Sequence, residues 1–332
     1  MQINEILALI DKLDAKLAVL LCHHNADPDA IGSAFAFSKL LKRLRPKMET
    51  EIVAASGPSK LAKEMLKSLP LELTNQPRIE EADLIVLLDT NTIQQLDEWG
   101  KRIKPNYPLV VIDHHVSHPE TERLATISVN DEKASSTCEI VYRLFKEAEI
   151  KPTIDEAKAL FLGIAFDTRH FIIATSEALK VVSELTERGI NAQEVLSILS
   201  LPMQHSERVA RLKAGNRLKL LRINDWLIAL SHVSAYQASA CRGLIALGAH
   251  IAVVAGQKAG KIQVSLRATR EFYVGTGIHL GRDLAKPLGE FLDGMGGGHS
   301  VSAGANGTGK IEACLNFSKK LLKKKISERL SE

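Results

Sequence analysis

The sequence lacks the features that mark secreted, membrane-spanning and disulfide-rich proteins. Its four cysteines are scattered and form no CxxC pair, so we expect buried free thiols rather than a disulfide framework or a structural zinc site. No window holds 18 consecutive apolar residues, which argues against a membrane span. The N-terminus has neither the basic nor the apolar segment of a secretory signal. We therefore expect a cytoplasmic protein without a membrane partner.

The sequence also lacks a general excess of basic residues. Its net charge is +4, but the segment from Lys310 to Glu332 carries seven basic and three acidic residues and so accounts for all of it. The positive charge therefore belongs to one C-terminal segment. Apolar residues recur there at helical spacing, which favours a terminal amphipathic helix with solvated lysines. The alternative is contact with nucleic acid or with a protein partner.

What the sequence does contain is typical of two globular domains, with 332 residues of which 45% are apolar. Short apolar runs alternate with helical patterns through the first half. This order predicts an α/β fold with a mostly parallel sheet and helices on both faces. A polar helical stretch then predicts a connector, broken at Pro202, before a smaller α/β C-terminal domain. The predicted ranges are 1–188, 189–217 and 218–332.

Periodicity places the individual elements. In the first half, strands are predicted at Ala18–Cys22, Ile52–Ala55, Leu84–Leu88 and Leu109–Ile112, and helices at Ala30–Leu44, Lys133–Glu149, Ile154–Phe166 and Glu177–Arg188. In the second domain, strands are predicted at Trp226–Ser231, Ile251–Ala255 and Ile262–Arg267, and a helix at Arg282–Leu292.

Residues of metal-ligand type follow three of the predicted strands and one helical run. They are His23, Asp27 and Asp29 after the first strand, Asp89 after the third, Asp113, His114 and His115 after the fourth, and Asp167 after the helical run. Ligands of open parallel sheets bind outside the carboxyl ends of the strands. Each residue alone has an ordinary explanation, such as a helix cap or a turn. Their recurrence at successive strand ends predicts a common site.

Two divalent cations would balance the charge of this site. If His23, Asp27, Asp29, Asp89, His114 and Asp167 are the ligands, the site contains four carboxylates, which without cations would repel one another at a cost of roughly several kcal/mol. Oxygen and imidazole ligands without thiolate favour two Mn²⁺, or Mg²⁺, over structural zinc. Such a pair, about 3.5–4 Å apart, activates a water molecule and stabilises an in-line displacement at phosphorus. Asp89, near the middle of the predicted sheet, is the natural bridging ligand.

In order along the chain, these motifs resemble those of the DHH phosphoesterase superfamily. The matching segments are His23-x-x-x-Asp27-x-Asp29-Ala30-Ile31-Gly32-Ser33, Asp89-Thr90-Asn91, Asp113-His114-His115 and Asp167-Thr168. The second predicted domain resembles the DHHA1 domain through Ser265-Leu266-Arg267 and Gly296-Gly297-Gly298-His299-Ser300. The resemblance covers nearly the whole chain.

The resemblance implies a role for each motif residue. One metal would be bound by His23, Asp27 and Asp89, and the other by Asp29, Asp89, His114 and Asp167. His115 would face the scissile phosphate and Asp113 would orient a histidine, so the catalytic set is Asp89, Asp113, His114 and His115. Substrate would be bound by Arg169, Ser265, Arg267, Gly296, Gly297, Gly298 and His299. Two differences from the family bear on base or sugar preference: Met295 replaces a common glycine, and Arg169-His170 replace smaller residues.

The implied function is a manganese-dependent phosphodiesterase that shortens single-stranded DNA or RNA, or short oligonucleotides, from one end. The chain length and domain sizes resemble those of RecJ-like archaeal nucleases, including the compact Hef-associated nuclease, and of bacterial nanoRNases (NrnA-like proteins). The analogy with the Hef-associated nuclease suggests 3′-to-5′ polarity. Alternatives with the same metals are a phosphatase for 3′-phosphoadenosine 5′-phosphate (pAp) and a cyclic-dinucleotide hydrolase. Inorganic pyrophosphatase is disfavoured, because that branch has a different second domain. A replication or repair scaffold is the alternative of another class. A repair or replication partner and homo-oligomerisation stay open.

Overall fold

The chain forms two compact units, Met1–Leu201 and Pro202–Glu332. This computed structural model describes residues 1–104, 106–200 and 203–330, with side chains described up to residue 328. Pro202, where the sequence predicts a break, lies outside the described residues. The predicted connector 189–217 is divided between the units, because its first helix packs Val195 into the first core and its second packs Ala214 into a core of the second unit.

The first unit is built on a five-stranded sheet in which all strands are parallel. Its order is β2-β1-β3-β4-β5. The strands are β1 (Leu17–Cys22), β2 (Glu49–Ala54), β3 (Leu84–Leu88), β4 (Leu109–Asp113) and β5 (Ile127–Asn130). The first four confirm the predicted strands to within a few residues. β5 was not predicted, because it is a four-residue edge strand in which one residue is buried and no apolar run appears.

Helices lie on both faces of this sheet, most of them on one face. They are α1 (Gln2–Leu13), α2 (Pro28–Leu44), α3 (Lys60–Leu66), α4 (Pro119–Leu124), α5 (Thr137–Glu147), α6 (Ile154–Asp167), α7 (Ser176–Thr186) and α8 (Ala192–Ile198). All except α4 contribute buried residues to a core formed with the side chains that β1, β3 and β4 present to that face. The opposite face is covered by α4 and by the short 3₁₀ turns Ile79–Glu81, Ile93–Leu96 and Gly100–Arg102. The predicted α/β class is confirmed.

The second unit contains a six-stranded mixed sheet of order β10-β11-β9-β8-β7-β6. Its strands are β6 (Lys219–Ile223), β7 (Trp226–His232), β8 (Ile251–Lys258), β9 (Lys261–Ala268), β10 (Met295–Gly298) and β11 (Ser302–Thr308). Only β7 and β8 pair in parallel. Its helices are α9 (His205–Asn216), α10 (Gln237–Ala246), α11 (Arg270–Thr276), α12 (Lys286–Phe291), which continues a π-helical turn at Leu280–Ala285, and α13 (Ile311–Leu330).

The C-terminal basic segment is the predicted amphipathic helix. In α13, Cys314, Leu315, Leu322 and Ile326 are buried in the core of the second unit. Lys320, Lys323 and Lys324 are exposed on the other side. The helix is therefore part of the fold and also presents a solvated basic face. Among the described residues, no helix combines the length and the hydrophobicity that crossing a membrane requires.

Candidate metal centre

The carboxyl edge of the parallel sheet gathers the residues that the sequence predicts as metal ligands. His23 follows β1, Asp89 follows β3 and His114 follows β4. Three groups of side chains each bring their possible ligand atoms within 4.8 Å of one another. These groups are His23, Asp27 and Asp89; Asp29, His114 and Asp167; and Asp89, Asp113, His114 and His115. All eight predicted residues of the first-unit centre therefore lie together.

Helix capping sets the positions of Asp27 and Asp29. Asp27 is the N-cap of α2, with Pro28 in the first turn, and its Oδ1 accepts hydrogen bonds from the amides of Asp29 and Ala30 at 2.9 and 3.2 Å. Its other oxygen, Oδ2, lies 3.9 Å from His23 Nε2. One carboxylate thus both begins the helix and contributes to the cluster. The structure confirms the helix start in the Asp-Pro-Asp segment, and this role is compatible with a place for Asp27 in the ligand cluster.

Asp89 stands between the two ligand groups. Its Oδ2 lies 3.6 Å from His23 Nε2, and its Oδ1 lies 3.6 Å from His114 Nε2. Thr137 Oγ1 donates a hydrogen bond to Oδ1 at 3.0 Å. The backbone of Asp89 is left-handed, with φ of 54°, a conformation that Asp and Asn adopt more readily than most residues. The carboxylate is therefore aimed in two directions at once.

The rings of His23 and His115 are oriented by hydrogen bonds that their Nδ1 atoms donate. His23 Nδ1 donates to the carbonyl oxygen of His24 at 2.8 Å, which leaves Nε2 facing the carboxylates. His115 Nδ1 lies 2.8 Å from Asp113 Oδ1, and the backbone amide of His115 donates to the same oxygen at 2.9 Å. Such contacts fix the tautomer and direction of a ring. Asp113 is fully buried, whereas the His115 side chain is half-exposed.

Asp29 is supported by α5, a helix that carries none of the sequence motifs. Its Oδ2 accepts a hydrogen bond from the amide of Thr137 at 2.7 Å and its Oδ1 accepts one from Cys138 at 2.9 Å. Both amides belong to the first turn of α5, where the helix dipole also favours a carboxylate. Thr137 was missed as a site residue. The sequence feature that could have indicated its position is the Ser135-Ser136-Thr137 run, in which Ser136 caps α5.

Two glycines permit the close crossing of α2 and α6 that places Asp29 near Asp167. A Cβ on Gly163 would lie 2.7 Å from Asp29 Oδ1 and 2.3 Å from Cys138 Sγ. A Cβ on Gly32 would lie 2.6 Å from the carbonyl oxygen of Ala159. Contacts this short are excluded for real side chains, so both positions require glycine for this packing.

The clustered carboxylates raise the pKa values of the histidines. Burial opposes the charged form of His23, but its contact with the Asp89 carboxylate, the hydrogen bond that it donates to the His24 carbonyl and the charge of Asp27 outweigh burial and raise its pKa to about 9. Burial likewise opposes the charge on His114, but its contacts with Asp167 and the other carboxylates raise its pKa to about 10. Protons on the imidazoles therefore neutralise part of the cluster in the metal-free protein.

The carboxylates also raise one another's pKa values. Burial, followed by repulsion from Asp89 and Asp167, raises the pKa of Asp27 to about 6. Burial and the same neighbours raise the pKa of Asp29 well above its ordinary value. The pKa of Asp89 moves the other way: burial would raise it, but the close contact with His23 and the charges of His114 and His115 lower it. A cation placed in this cluster would relieve the repulsion.

The donor set fits manganese or magnesium. His114 Nε2 is buried and has no aligned hydrogen-bond partner among the described residues, although Asp167 Oδ2 is 3.1 Å away, so the nitrogen is open to a ligand. Cys22 and Cys138 are buried beside the cluster, and burial together with the nearby carboxylates raises the pKa of both thiols well above the ordinary range. The available ligands are therefore carboxylate oxygens and imidazole nitrogens, which suit Mn²⁺ and Mg²⁺.

The pKa shifts predict how the metal-free protein responds to pH. Since the folded pKa values of His23 and His114 exceed the ordinary 6.5, their protonation stabilises the fold fully below about pH 6.5, and this stabilisation is lost as the pH rises through about 9 to 10. We expect the melting temperature in EDTA to fall between pH 7 and 10. We expect the increase caused by Mn²⁺ to grow over the same interval, because binding displaces these protons.

Thermal melts across pH, with EDTA and with Mn²⁺, measure both trends. The double variant His23→Gln/His114→Gln should flatten them, whereas His205→Gln, an exposed control, should not. A metal-free melting temperature that does not change over this interval would contradict the shifted pKa values.

A separate cavity of about 500 Å³ in the second unit collects most of the predicted substrate-binding residues. It is lined by Ser265, Arg267, Gly296, Gly297, Gly298 and His299, among others. Arg267 is oriented by hydrogen bonds from Nη1 to the carbonyl oxygens of Leu266 and Ala303 at 2.8 and 3.3 Å. Arg169 belongs to the first unit, where it is exposed in a left-handed turn after α6. It is not among the residues that line this cavity.

The three glycines of β10 have different roles. A Cβ on Gly296 would lie 1.7 Å from the carbonyl oxygen of Ala285, and one on Gly298 would lie 2.6 Å from that of Ser302. These two glycines therefore permit close backbone packing, whereas a Cβ on Gly297 would meet nothing within 4 Å. The segment is a paired strand, not a flexible turn, and Gly297 is the glycine with open space in front of it.

Comparison with known proteins identifies the first unit. Residues 18–164 match the model of the DHH family, N-terminal domain. The uncharacterized protein MJ0988 of Methanocaldococcus jannaschii is 34% identical over 302 residues, which cover 90% of this chain and 89% of that protein. A probable manganese-dependent inorganic pyrophosphatase of Streptococcus thermophilus is 29% identical over 223 residues, 61% of this chain and 69% of that protein.

A solved structure has the same fold along the chain. The exopolyphosphatase-related protein of Bacteroides fragilis superimposes with a TM-score of 0.65 and 20% identity, covering all of this chain and 98% of that one. At this identity the likeness concerns the fold alone. The family match and the identity with the archaeal protein carry the assignment: this chain belongs to the DHH family.

Proposed function

We propose that this chain is a metal-dependent phosphoester hydrolase that uses two Mn²⁺, or Mg²⁺ in their place, to cleave phosphodiester bonds of short single-stranded oligonucleotides. The position of Asp89 carries the proposal. Its two oxygens belong to different ligand groups, one 3.6 Å from His23 Nε2 and the other 3.6 Å from His114 Nε2. A carboxylate shared by two ligand sets is what a two-metal phosphoryl-transfer site requires.

The residues around Asp89 have roles that fit this chemistry. Bound cations would activate a water molecule and neutralise the charge that develops on the phosphoryl oxygens. Asp113 holds the His115 ring through Nδ1, and this contact raises the pKa of His115. The half-exposed ring therefore keeps a proton on Nε2 that it can donate to a phosphoryl oxygen. Asp29 is held in one orientation by two amides, so it needs no reorganisation during the reaction.

The cavity of the second unit supports recognition of a nucleotide end. Arg267 offers a charged, oriented donor for phosphate, and Gly297 leaves room for a close approach to the backbone. A cavity of about 500 Å³ exceeds what pyrophosphate needs and accommodates a nucleotide. Anchoring one end of a strand favours stepwise cleavage from that end. Membership in the RecJ-like and nanoRNase group, a DHHA1 identity of this unit and 3′-to-5′ polarity are parts of the same proposal.

One experiment tests the proposal against its rivals. The purified protein is incubated with 5′- and 3′-end-labelled DNA and RNA oligonucleotides, with pAp, with a cyclic dinucleotide and with pyrophosphate, each in Mn²⁺, Mg²⁺ and EDTA. We expect nucleoside monophosphates from the oligonucleotides in Mn²⁺ and no product in EDTA, and the order of products gives the polarity. Faster hydrolysis of pAp or of the cyclic dinucleotide would replace the proposed substrate. Inertness toward every substrate would favour the scaffold alternative.

Arg267→Ala is expected to raise KM for a dinucleotide roughly 10- to 100-fold, the loss expected for a charge-assisted hydrogen bond. The kcat value should change by no more than about threefold, since the contact is made in the ground state and in the transition state alike. Steady-state kinetics in Mn²⁺ measures both constants. Arg222→Ala, which removes an exposed arginine of the same sheet, is the matched control. An unchanged KM would remove Arg267 from the substrate site.

A further inference from the structure

A second cavity adjoins the proposed nucleotide cavity on the same sheet of the second unit. Its volume is about 810 Å³. The two cavities share Gln263 of β9 and Asn306 of β11, which are paired residues of neighbouring strands. The second cavity continues past them to the hairpin between β8 and β9 and to the start of α10. Together the two cavities form one trough, called here the β9 trough.

The alternation of β9 gives this trough a polar floor. The side chains of Lys261, Gln263, Ser265 and Arg267 line the trough. Ile262 and Val264 also border it, but their side chains, like that of Leu266, are buried in the core. At about 3.3 Å per residue, the distance from Lys261 to Arg267 is roughly 20 Å. That length exceeds a single nucleotide. The polar side chains are not needed by the core and are available to a ligand.

The far end of the trough carries an aromatic ring and positive charge. Tyr236 lines it and is 37% exposed, and its hydroxyl lies 2.9 Å from Gln204 Oε1 and 3.0 Å from Ser206 Oγ. Its backbone is left-handed, with φ of 61°, a conformation that is uncommon for an aromatic residue. The ring is therefore held in place, although burial does not require its position. Lys258 and Lys261 lie on the adjoining hairpin, and the lining contains one acidic residue, Asp293.

A fixed ring next to cations along a groove matches the way proteins bind single-stranded nucleic acid, in which bases stack on aromatic rings and phosphates contact basic side chains. We propose that the β9 trough is a binding track for an oligonucleotide, with its end at Arg267 and Gly297 and a further base stacked on Tyr236 between Lys258 and Lys261. This rests on the proposed function, and it narrows the substrate class to chains longer than a dinucleotide. A mononucleotide bisphosphate would fill the first cavity alone.

Tyr236 gives the sharper test, with full-length protein in Mn²⁺. Tyr236→Leu removes the aromatic ring, whereas Tyr236→Phe retains the ring and loses the hydroxyl. We expect Tyr236→Leu to lower kcat/KM for an octanucleotide roughly 5- to 100-fold, the range for one stacked base. The value for a dinucleotide should stay within about twofold. Tyr236→Phe should keep most of the octanucleotide activity. Equal losses on both substrates would overturn the track.

The lysines give a second test that does not depend on the fold around α10. Lys258→Ala/Lys261→Ala removes two charges from an exposed hairpin, and Lys320→Ala/Lys323→Ala removes two from the exposed face of α13. Anisotropy with a labelled octanucleotide in EDTA, across salt concentrations, measures binding without turnover. We expect the hairpin variant alone to weaken binding and to reduce the salt slope by roughly 1.4, about 0.7 for each lysine that contacts a phosphate. Equal loss in both variants would mean that charge alone, not the trough, governs binding.

The two assays separate the track from the proposed function. If the wild-type protein binds the octanucleotide through Tyr236 and the hairpin but hydrolyses no oligonucleotide in Mn²⁺, the proposed activity fails and the track stands. If it hydrolyses the dinucleotide and the octanucleotide with kcat/KM values that Tyr236→Leu leaves unchanged, the track fails and the activity stands.

Discussion

Asp89→Asn is expected to reduce turnover in Mn²⁺ by roughly 10³-fold or more, the scale seen when a preorganised electrostatic group is lost from a site that acts as a unit. The substitution keeps the shape of the side chain and removes the negative charge that the two ligand groups share. Asparagine also tolerates the left-handed backbone at this position, where φ is 54°. The loss of turnover is therefore expected without unfolding. Asp89→Ala would be harder to interpret, because alanine also changes the shape of the side chain and fits the left-handed backbone less well.

Metal binding shows whether the lost charge is the shared one. We expect calorimetry to detect two Mn²⁺ per wild-type chain and a weaker, incomplete stoichiometry in Asp89→Asn. The metal-free melting temperature should be close to that of the wild-type protein. Asp155→Asn, at an exposed position near the start of α6, is the control that should change none of these quantities. Turnover within tenfold of wild type, with both metals bound, would contradict the bridging role.

The first-unit centre could be predicted from the sequence because most of its residues follow strands, and Asp167 ends a predictable helix. Apolar runs such as Leu84–Leu88 are recognisable without a structure, and all the strands of a parallel sheet end at one edge. Residues far apart in the chain, such as His23 and His114, could therefore be placed together. The agreement is close here because the side chains that matter come directly after predictable elements.

Thr137 could not be predicted in the same way. Its contacts with Asp29 and Asp89 join the start of α5 to elements 108 and 48 residues away. No local pattern reports such contacts, since a Ser-Ser-Thr run before a helix is explained by capping alone. The residues that support ligands thus depend on packing, which periodicity does not specify.

The strands β10 and β11 were missed for a different reason. β10 is Met-Gly-Gly-Gly, which has no hydrophobic alternation and low intrinsic preference for a strand. It is extended because it pairs with β11 and because Gly296 and Gly298 allow its backbone to pack on the residues near Ala285. Tertiary packing has overridden local propensity, so a glycine motif predicted for its substrate role is also a structural element.

Gly163→Ala is expected to lower both stability and activity, because the helix crossing beneath Asp29 leaves no room for a methyl group. The new Cβ would lie 3.0 Å from Asp29 Cα and 2.7 Å from Asp29 Oδ1, so the start of α2 must shift. Such overpacking costs about 1–3 kcal/mol. Displacement of Asp29 should also reduce turnover by at least about tenfold, since small misplacements of catalytic groups have large effects. Chemical denaturation and Mn²⁺-dependent turnover measure the two losses.

Two further variants separate the contacts of the added methyl group. Gly215→Ala, in α9, meets nothing within 4 Å and should stabilise the protein by about 0.5–1 kcal/mol, as expected for alanine in a helix. Adding Cys138→Ala to Gly163→Ala removes the 2.3 Å contact with sulfur but keeps the contacts with Asp29. We expect this pair to recover stability more than turnover. Full recovery of turnover in the pair would mean that the clash with the Cys138 sulfur, not the displacement of Asp29, reduces the turnover of Gly163→Ala. Unchanged turnover in Gly163→Ala alone would mean that the centre tolerates a shift of α2.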